Sequence, residues 1–149
     1  ELKLRGKQPT AQSELLAMAL PFAMDQPLYA GEVGGELLRV DTDQLPDANR
    51  DAHAFGDGWL VSDTANDGAR LMVSSPDAFL WHFGGLRYLN FNRQNLPRTG
   101  EVYAHLFNNV WQTNFHVWIE GDLTYQFYLR PLRADEDPLT SLRAITPCW

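Results

Sequence analysis

Cysteine is almost absent from this chain of 149 residues: Cys148, next to the last position, is the only one. No internal disulfide can form, and no cysteine framework for zinc exists. Missing too is any apolar run near the roughly 20 residues that span a bilayer, and the opening ELKLRGKQPT carries no apolar segment behind its charges. Positive charge is scarce, since 12 Lys and Arg stand against 19 Asp and Glu for a net charge of −7, and the basic residues are scattered. Neither nucleic acid nor a membrane is therefore an expected partner. No Ser sits in a G-x-S-x-G elbow, and His53, His82, His105 and His116 show neither H-E-x-x-H nor H-x-E spacing. Nucleophilic catalysis by Ser or Cys and a metal site both lose their usual signatures. A sustained 3.6-residue apolar period is also lacking, so long amphipathic helices are not expected.

What the chain does have is period 2. Leu16, Met18, Leu20 and Phe22 alternate with other residues, as do Leu38 and Val40, Trp59 and Val61, and Leu71 and Val73. Each reads as a half-buried strand, and a strand over Val102 to Phe107 follows the same pattern. Phe115, Val117 and Ile119 share one face, and Leu123, Tyr125, Phe127 and Leu129 another, across Glu120, Gly121 and Asp122. That pattern predicts a hairpin with Gly supplying positive φ. Asn66, Asp67 and Gly68 mark a second turn. Short strands joined by Gly, Pro and Asn clusters predict an all-β fold, an antiparallel β-sandwich with little helix. The length fits a single domain able to bury its own core. Residues 1–12 and 134–149 read as looser ends. Because the chain opens on Glu1 rather than Met, it reads as a portion of a longer polypeptide. The compartment stays open.

Several clusters invite a chemical reading. The string VDTDQLPDANRD places Asp41, Asp43, Asp47 and Asp51 close together, as in a calcium loop, but without the Gly at the sixth position and Glu at the twelfth that such a loop needs. A solvated turn is the better expectation. Asp135, Glu136 and Asp137 read as a solvated run before Pro138. His105 and His116 would face each other if their strands paired. No two carboxylates can be matched at a glycosidase spacing from sequence alone.

The densest polar cluster is LFNNVWQTNF, where Asn108, Asn109, Trp111, Thr113 and Asn114 crowd into one short stretch. An aromatic face beside amides suits a sugar, which stacks on the first and bonds the second. The same amides suit a bend between strands, because Asn tolerates left-handed backbone and bonds local carbonyls, with Trp111 filling the core. Both readings stand at this level.

Taken in order, SELLAMALPFAM, DQLPDANRD, WLVSD, SSPDAFL, LFNNVWQTNF and EGDLTYQFYLRP resemble the C-terminal β-sandwich region of bacterial α-mannosidase-like proteins of glycoside hydrolase family 38. The resemblance covers about residues 14–130, and its most specific element is N-N-x-W-x-T-N-F. The second is D-Q-L-P, carried by Asp43, Gln44, Leu45 and Pro46; Asp47 stands where that pattern would carry Gly. The resemblance implies that catalysis belongs to an N-terminal barrel domain holding one zinc and an Asp nucleophile, none of whose residues lies in this chain. It implies no cofactor here, the catalytic domain of the same polypeptide as partner, and a mannoside or related carbohydrate as ligand. The loops at Asn108 to Asn114 and at Asp43 and Gln44 would then line the sugar cleft or the junction with the barrel. The alternative is a free-standing, non-catalytic sandwich that binds carbohydrate or a protein partner.

Overall fold

A computed structural model describes residues 1–65, 68–110 and 118–145. In chain order they form β1 (Leu2–Lys7), β2 (Leu15–Pro21), β3 (Pro27–Val33), β4 (Glu36–Arg39), β5 (His53–Ala54), β6 (Trp59–Asp63), β7 (Ala69–Ser74), β8 (Leu80–Phe83), β9 (Glu101–Asn108), β10 (Gly121–Tyr125), β11 (Tyr128–Leu132) and one short helix, α1 (Pro138–Ile145). The fold is all-β, as the period-2 pattern predicts. One sheet has the order β11-β7-β6-β3-β4, a second the order β2-β9-β8-β5, and β1 pairs with β10 alone. Every pairing among these strands is antiparallel.

Two of these sheets face each other because each strand devotes one side to large apolar residues. Tyr29, Trp59, Val61 and Val73 come from the five-stranded sheet, and Trp81, Phe83, Val102 and Ala104 from the four-stranded one, to make one buried cluster. Trp59 is fully buried at its centre. Its ring meets Trp81 edge-on at 5.3 Å and Phe83 at 5.1 Å, while Phe83 stacks on Tyr29 at 4.2 Å. Such offset and edge-to-face pairs add to the free energy of simple burial. Leu2, Leu4, Leu123 and Tyr125 of β1 and β10 pack against the same cluster.

The outer face of the five-stranded sheet holds a second, smaller cluster of Ala30, Leu60, Met72, Leu132 and Leu142. Leu142 comes from α1, which lies over that face. Asp137 starts the helix, accepting from the Thr140 backbone N–H at 2.8 Å, and Pro138 follows at the position where a missing N–H costs nothing.

The structure corrects two sequence expectations. The ends are not loose where described: β1 lies within residues 1–12 and α1 within 134–149, each held by burial of an apolar side. Among the described residues, Glu120, Gly121 and Asp122 do not close a hairpin. Gly121 does take a positive φ of 93°, but it and Asp122 belong to β10, whose partner is β1. Residues 118–120 are not strand, and Phe115 and Val117 lie outside the described residues. The run from Leu123 to Leu129 is also two strands, because β10 ends at Tyr125 and β11 joins β7 in a different sheet. Alternation survives the break because both segments turn a side toward the same core: Tyr125 is buried in it, and Phe127 meets Trp81 edge-on at 6.2 Å. Asp135 and Asp137 are exposed, as a solvated run would be, and Glu136 is half-buried. Asp137 caps α1, and Glu136 accepts from Arg130 and from the Arg133 backbone N–H.

Candidate functional site

The amide cluster begins where β9 ends. Asn109, buried, is spent on the chain's own backbone: its N–H donates to the Glu14 carbonyl at 3.0 Å, its Nδ2 to the Gln12 carbonyl at 3.1 Å, and its Oδ1 accepts from the Glu14 N–H. These bonds close the entry to β2, whose Leu15 lies opposite Asn108. Asn108 turns to other partners. Tyr88 Oη donates to its Oδ1 at 2.8 Å, and its Nδ2 contacts His105 Nε2 at 3.0 Å. With Oδ1 accepting from a hydroxyl, Nδ2 must donate, so Nε2 is the bare nitrogen of a neutral His105. Trp111, Thr113 and Asn114, and with them His116, lie outside the described residues.

His105 meets His82; the His116 that would face it if their strands paired lies outside the described residues. The His105 ring stacks on His82 at 5.8 Å and 22°, both on the side of the four-stranded sheet away from the Trp59 cluster. Antiparallel register explains this: His82 and His105 follow Trp81 and Ala104, which point into the core, and so point out. His82 Nδ1 bonds the Asp51 carbonyl at 3.1 Å, which fixes the proton on that nitrogen. Burial lowers the pKa of His82 to about 4, with neighbouring His105 adding to the effect, and burial also lowers that of His105.

Two loops close over this side, residues 40–52 and 84–100. Asp51 is buried, its carboxylate accepting from both the backbone N–H and Nδ2 of Asn92. Arg50 N–H donates to the Asn92 carbonyl at 2.7 Å. Arg98 forks onto Asp41, with Nε and Nη2 each 2.6 Å from a carboxylate oxygen, while its Nη1 reaches the Phe83 carbonyl at 2.8 Å. Gln44 links the first loop internally, its Oε1 accepting from Arg50 Nη1 at 2.5 Å and from the Asp41 N–H at 3.1 Å, its Nε2 contacting His53 Nδ1 at 3.3 Å. His53 is buried beside Phe83, and that burial lowers its pKa to about 4.

The acidic string therefore departs from the solvated turn expected of it. Asp41 and Asp51 are consumed by partners from the 84–100 loop, to which nothing in the local sequence points. Asp43 does stay near the surface, paired with Arg39 four residues earlier, and this hydrogen-bonded pairing lowers its pKa to about 2. Asp47 takes φ 60°, the left-handed conformation a Gly favours and an Asp tolerates. Among the described residues no three His, Cys, Asp or Glu side chains gather closely enough to hold a metal.

The described polar groups thus form one stitched layer, from Gln44 and Asp41 through Arg98, Asp51 and His82 to His105, Asn108 and Tyr88. Each bond satisfies a group that burial would otherwise penalise, and the layer fixes two long loops to a sheet. Asn108 and Gln44, chosen from sequence, sit at its two ends. His82, Tyr88, Asn92 and Arg98 were missed, because none belongs to a local motif; the length of the loop between β8 and β9 was the one available signal. No protein family, curated protein sequence or solved structure matches the chain.

Proposed function

We propose that the chain is the accessory C-terminal β-sandwich of an α-mannosidase-like glycoside hydrolase, non-catalytic in itself, packing on a zinc-dependent catalytic barrel of the same polypeptide. The reading starts from the resemblance of its ordered motifs to that family. The observation that carries it further is how Asn109 is used: all of its described bonds go to the chain's own residues 12 and 14, as in a rigid support rather than a free sugar-binding amide. Asn108 is likewise tied to Tyr88 and His105. A mannoside contact then falls to Trp111, Thr113 and Asn114, which follow Asn108 and Asn109 in the sequence.

Exposed apolar side chains supply surface for a neighbouring domain. Phe79 is 65% exposed and flanks, with Val33, a shallow depression lined by Ala54 and Phe55. The same surface supports the second reading, a free-standing module that binds a protein partner.

The test is to express the complete polypeptide that contains this chain and assay it on an aryl α-mannoside, with and without a chelator. Chelator-sensitive turnover by the complete polypeptide, and none by residues 1–149 alone, is the expected result. Turnover by residues 1–149 alone that one substitution within them abolishes, or a complete polypeptide inert on α-mannosides, would overturn the reading.

A further inference from the structure

A pocket of about 360 Å³ opens on the outer face of the five-stranded sheet, opposite to the side packed on Trp59, and Val40 and Thr42 of its lining flank Asp41 of the polar layer. Its volume lies in the range of small-molecule sites, at the small end. Register explains the lining. Leu28, Ser62 and Arg70 form one cross-strand row, because Leu28 pairs with Ser62 and Ser62 with Arg70. Arg39, Ala30 and Leu60 form the next row, since Arg39 pairs with Ala30 and Ala30 with Leu60. Pro138, at the start of α1, closes one side.

The chemistry of the two rows is uneven. Leu28, Ala30, Leu37 and Leu60 make the floor apolar, and Leu28 remains 61% exposed there. Ser62 and Thr42 add hydroxyls, and Arg39 and Arg70 add guanidinium groups. Arg39 is already neutralised by Asp43, to which it gives both Nε and Nη2. Arg70 differs: its Nη2 donates to a neutral backbone carbonyl, that of Arg133, and no carboxylate of the described residues lies within ion-pair distance. In a chain with a net charge of −7, Arg70 thus stands without a counter-charge among the described residues, beside an apolar hollow.

We propose that this pocket binds a small amphipathic carboxylate, whose apolar body lies on Leu28, Leu37 and Leu60 and whose acid group pairs with Arg70. The planar guanidinium suits a carboxylate with two parallel hydrogen bonds, and Ser62, next to Arg70 in the register, can donate a third. The floor selects against a fully hydrated anion, because only an apolar body gains by covering Leu28. The site owes nothing to the amide loop and stands or falls apart from the glycosidase reading.

Sodium octanoate is the probe, titrated into the isotopically labelled chain while backbone amide shifts are followed by NMR. Saturable shifts confined to β3, β4, β6, β7 and the start of α1 are expected. Arg70→Gln should weaken binding about tenfold, as should replacing octanoate by octan-1-ol, since each removes the charge-assisted pair. Leu28→Asp, at an exposed position that leaves the buried clusters intact, should abolish octanoate binding. Non-saturating shifts, shifts centred elsewhere, or equal affinity for octanoate and octan-1-ol would overturn the proposal. So would unchanged affinity in a folded Arg70→Gln chain; should that variant not fold, unchanged affinity in Leu28→Asp decides against it equally.

Discussion

Arg98 grips Asp41 at two points across 57 residues of sequence, each contact 2.6 Å long, with side chains only 9% and 15% exposed. The guanidinium also bonds the Phe83 and Arg50 carbonyls, so one side chain ties both long loops to the end of β8. Removing it strands a nearly buried carboxylate and takes a donor from each of two carbonyls. Arg98→Ala should destabilise the chain by about 3 kcal/mol, and the Arg98→Met, Asp41→Leu double variant by clearly less, because no lone charge remains. Urea unfolding checks both. A single variant within about 0.5 kcal/mol of the parent would show that the pair is idle.

Acid should loosen the fold well before most carboxylates protonate. Burial holds His53 and His82 neutral with pKa values near 4, against an ordinary 6.5. Between those values the unfolded chain binds more protons than the folded one. Stability is therefore full above about pH 6.5 and falls as pH drops toward 4, by on the order of 3 kcal/mol for each histidine. Charging His105 adds a conflict of its own, since Nε2 would then carry a proton facing the Asn108 Nδ2 that now donates to it. Urea midpoints measured from pH 7 to pH 5 should fall steadily, and less so for a His53→Gln, His82→Gln double variant. Midpoints unchanged over that interval would contradict the burial of both rings.

Asn109 separates support from recognition. Asn109→Ala removes the Glu14 N–H's acceptor and the Gln12 carbonyl's donor at a buried position, and should cost about 1 to 3 kcal/mol. Faster hydrogen exchange at the first residues of β2 should accompany it. Unaltered stability combined with lost mannoside turnover in the complete polypeptide would instead assign the residue to substrate.

Leu142 tests whether α1 belongs to the fold. Its side chain is fully buried with Met72 and Leu132. Leu142→Ala should cost about 3 kcal/mol, the usual range for a leucine deleted from a packed site. A shift near zero in melting temperature would mean that the helix rests on the sheet without sharing its stability.

Gly100 marks where two backbones nearly touch. A Cβ there would fall 1.8 Å from the Phe22 carbonyl oxygen, while the Gly100 carbonyl accepts from the Phe22 N–H at 2.8 Å. Gly100→Ala cannot be accommodated by rotating a side chain and should cost about 3 kcal/mol. A parent-like melting curve would show that the two segments can part.

Much of the fold was legible in the chain itself. Alternation in LLAMALP, WLVSD and ARLMVS set which residues face inward, since a strand has only two sides and water penalises the wrong choice. It likewise named Trp59, Val61 and Val73 as core residues and placed Asn108 at the end of a strand. Alternation does not name partners, however, and here the tertiary structure alone decided. It sent β10 to β1 and β11 to β7, although one unbroken pattern runs through both, because two sheets can share a core and hence a facing side. It also turned Asp41 and Asp51 from turn residues into bonded groups, through partners 57 and 41 residues away. The His82 and His105 pair has the same origin: two isolated histidines became neighbours only when β8 found β9. Local chemistry sets burial side by side along a strand, whereas pairing is a competition among all strands at once, settled by the packing of the whole molecule.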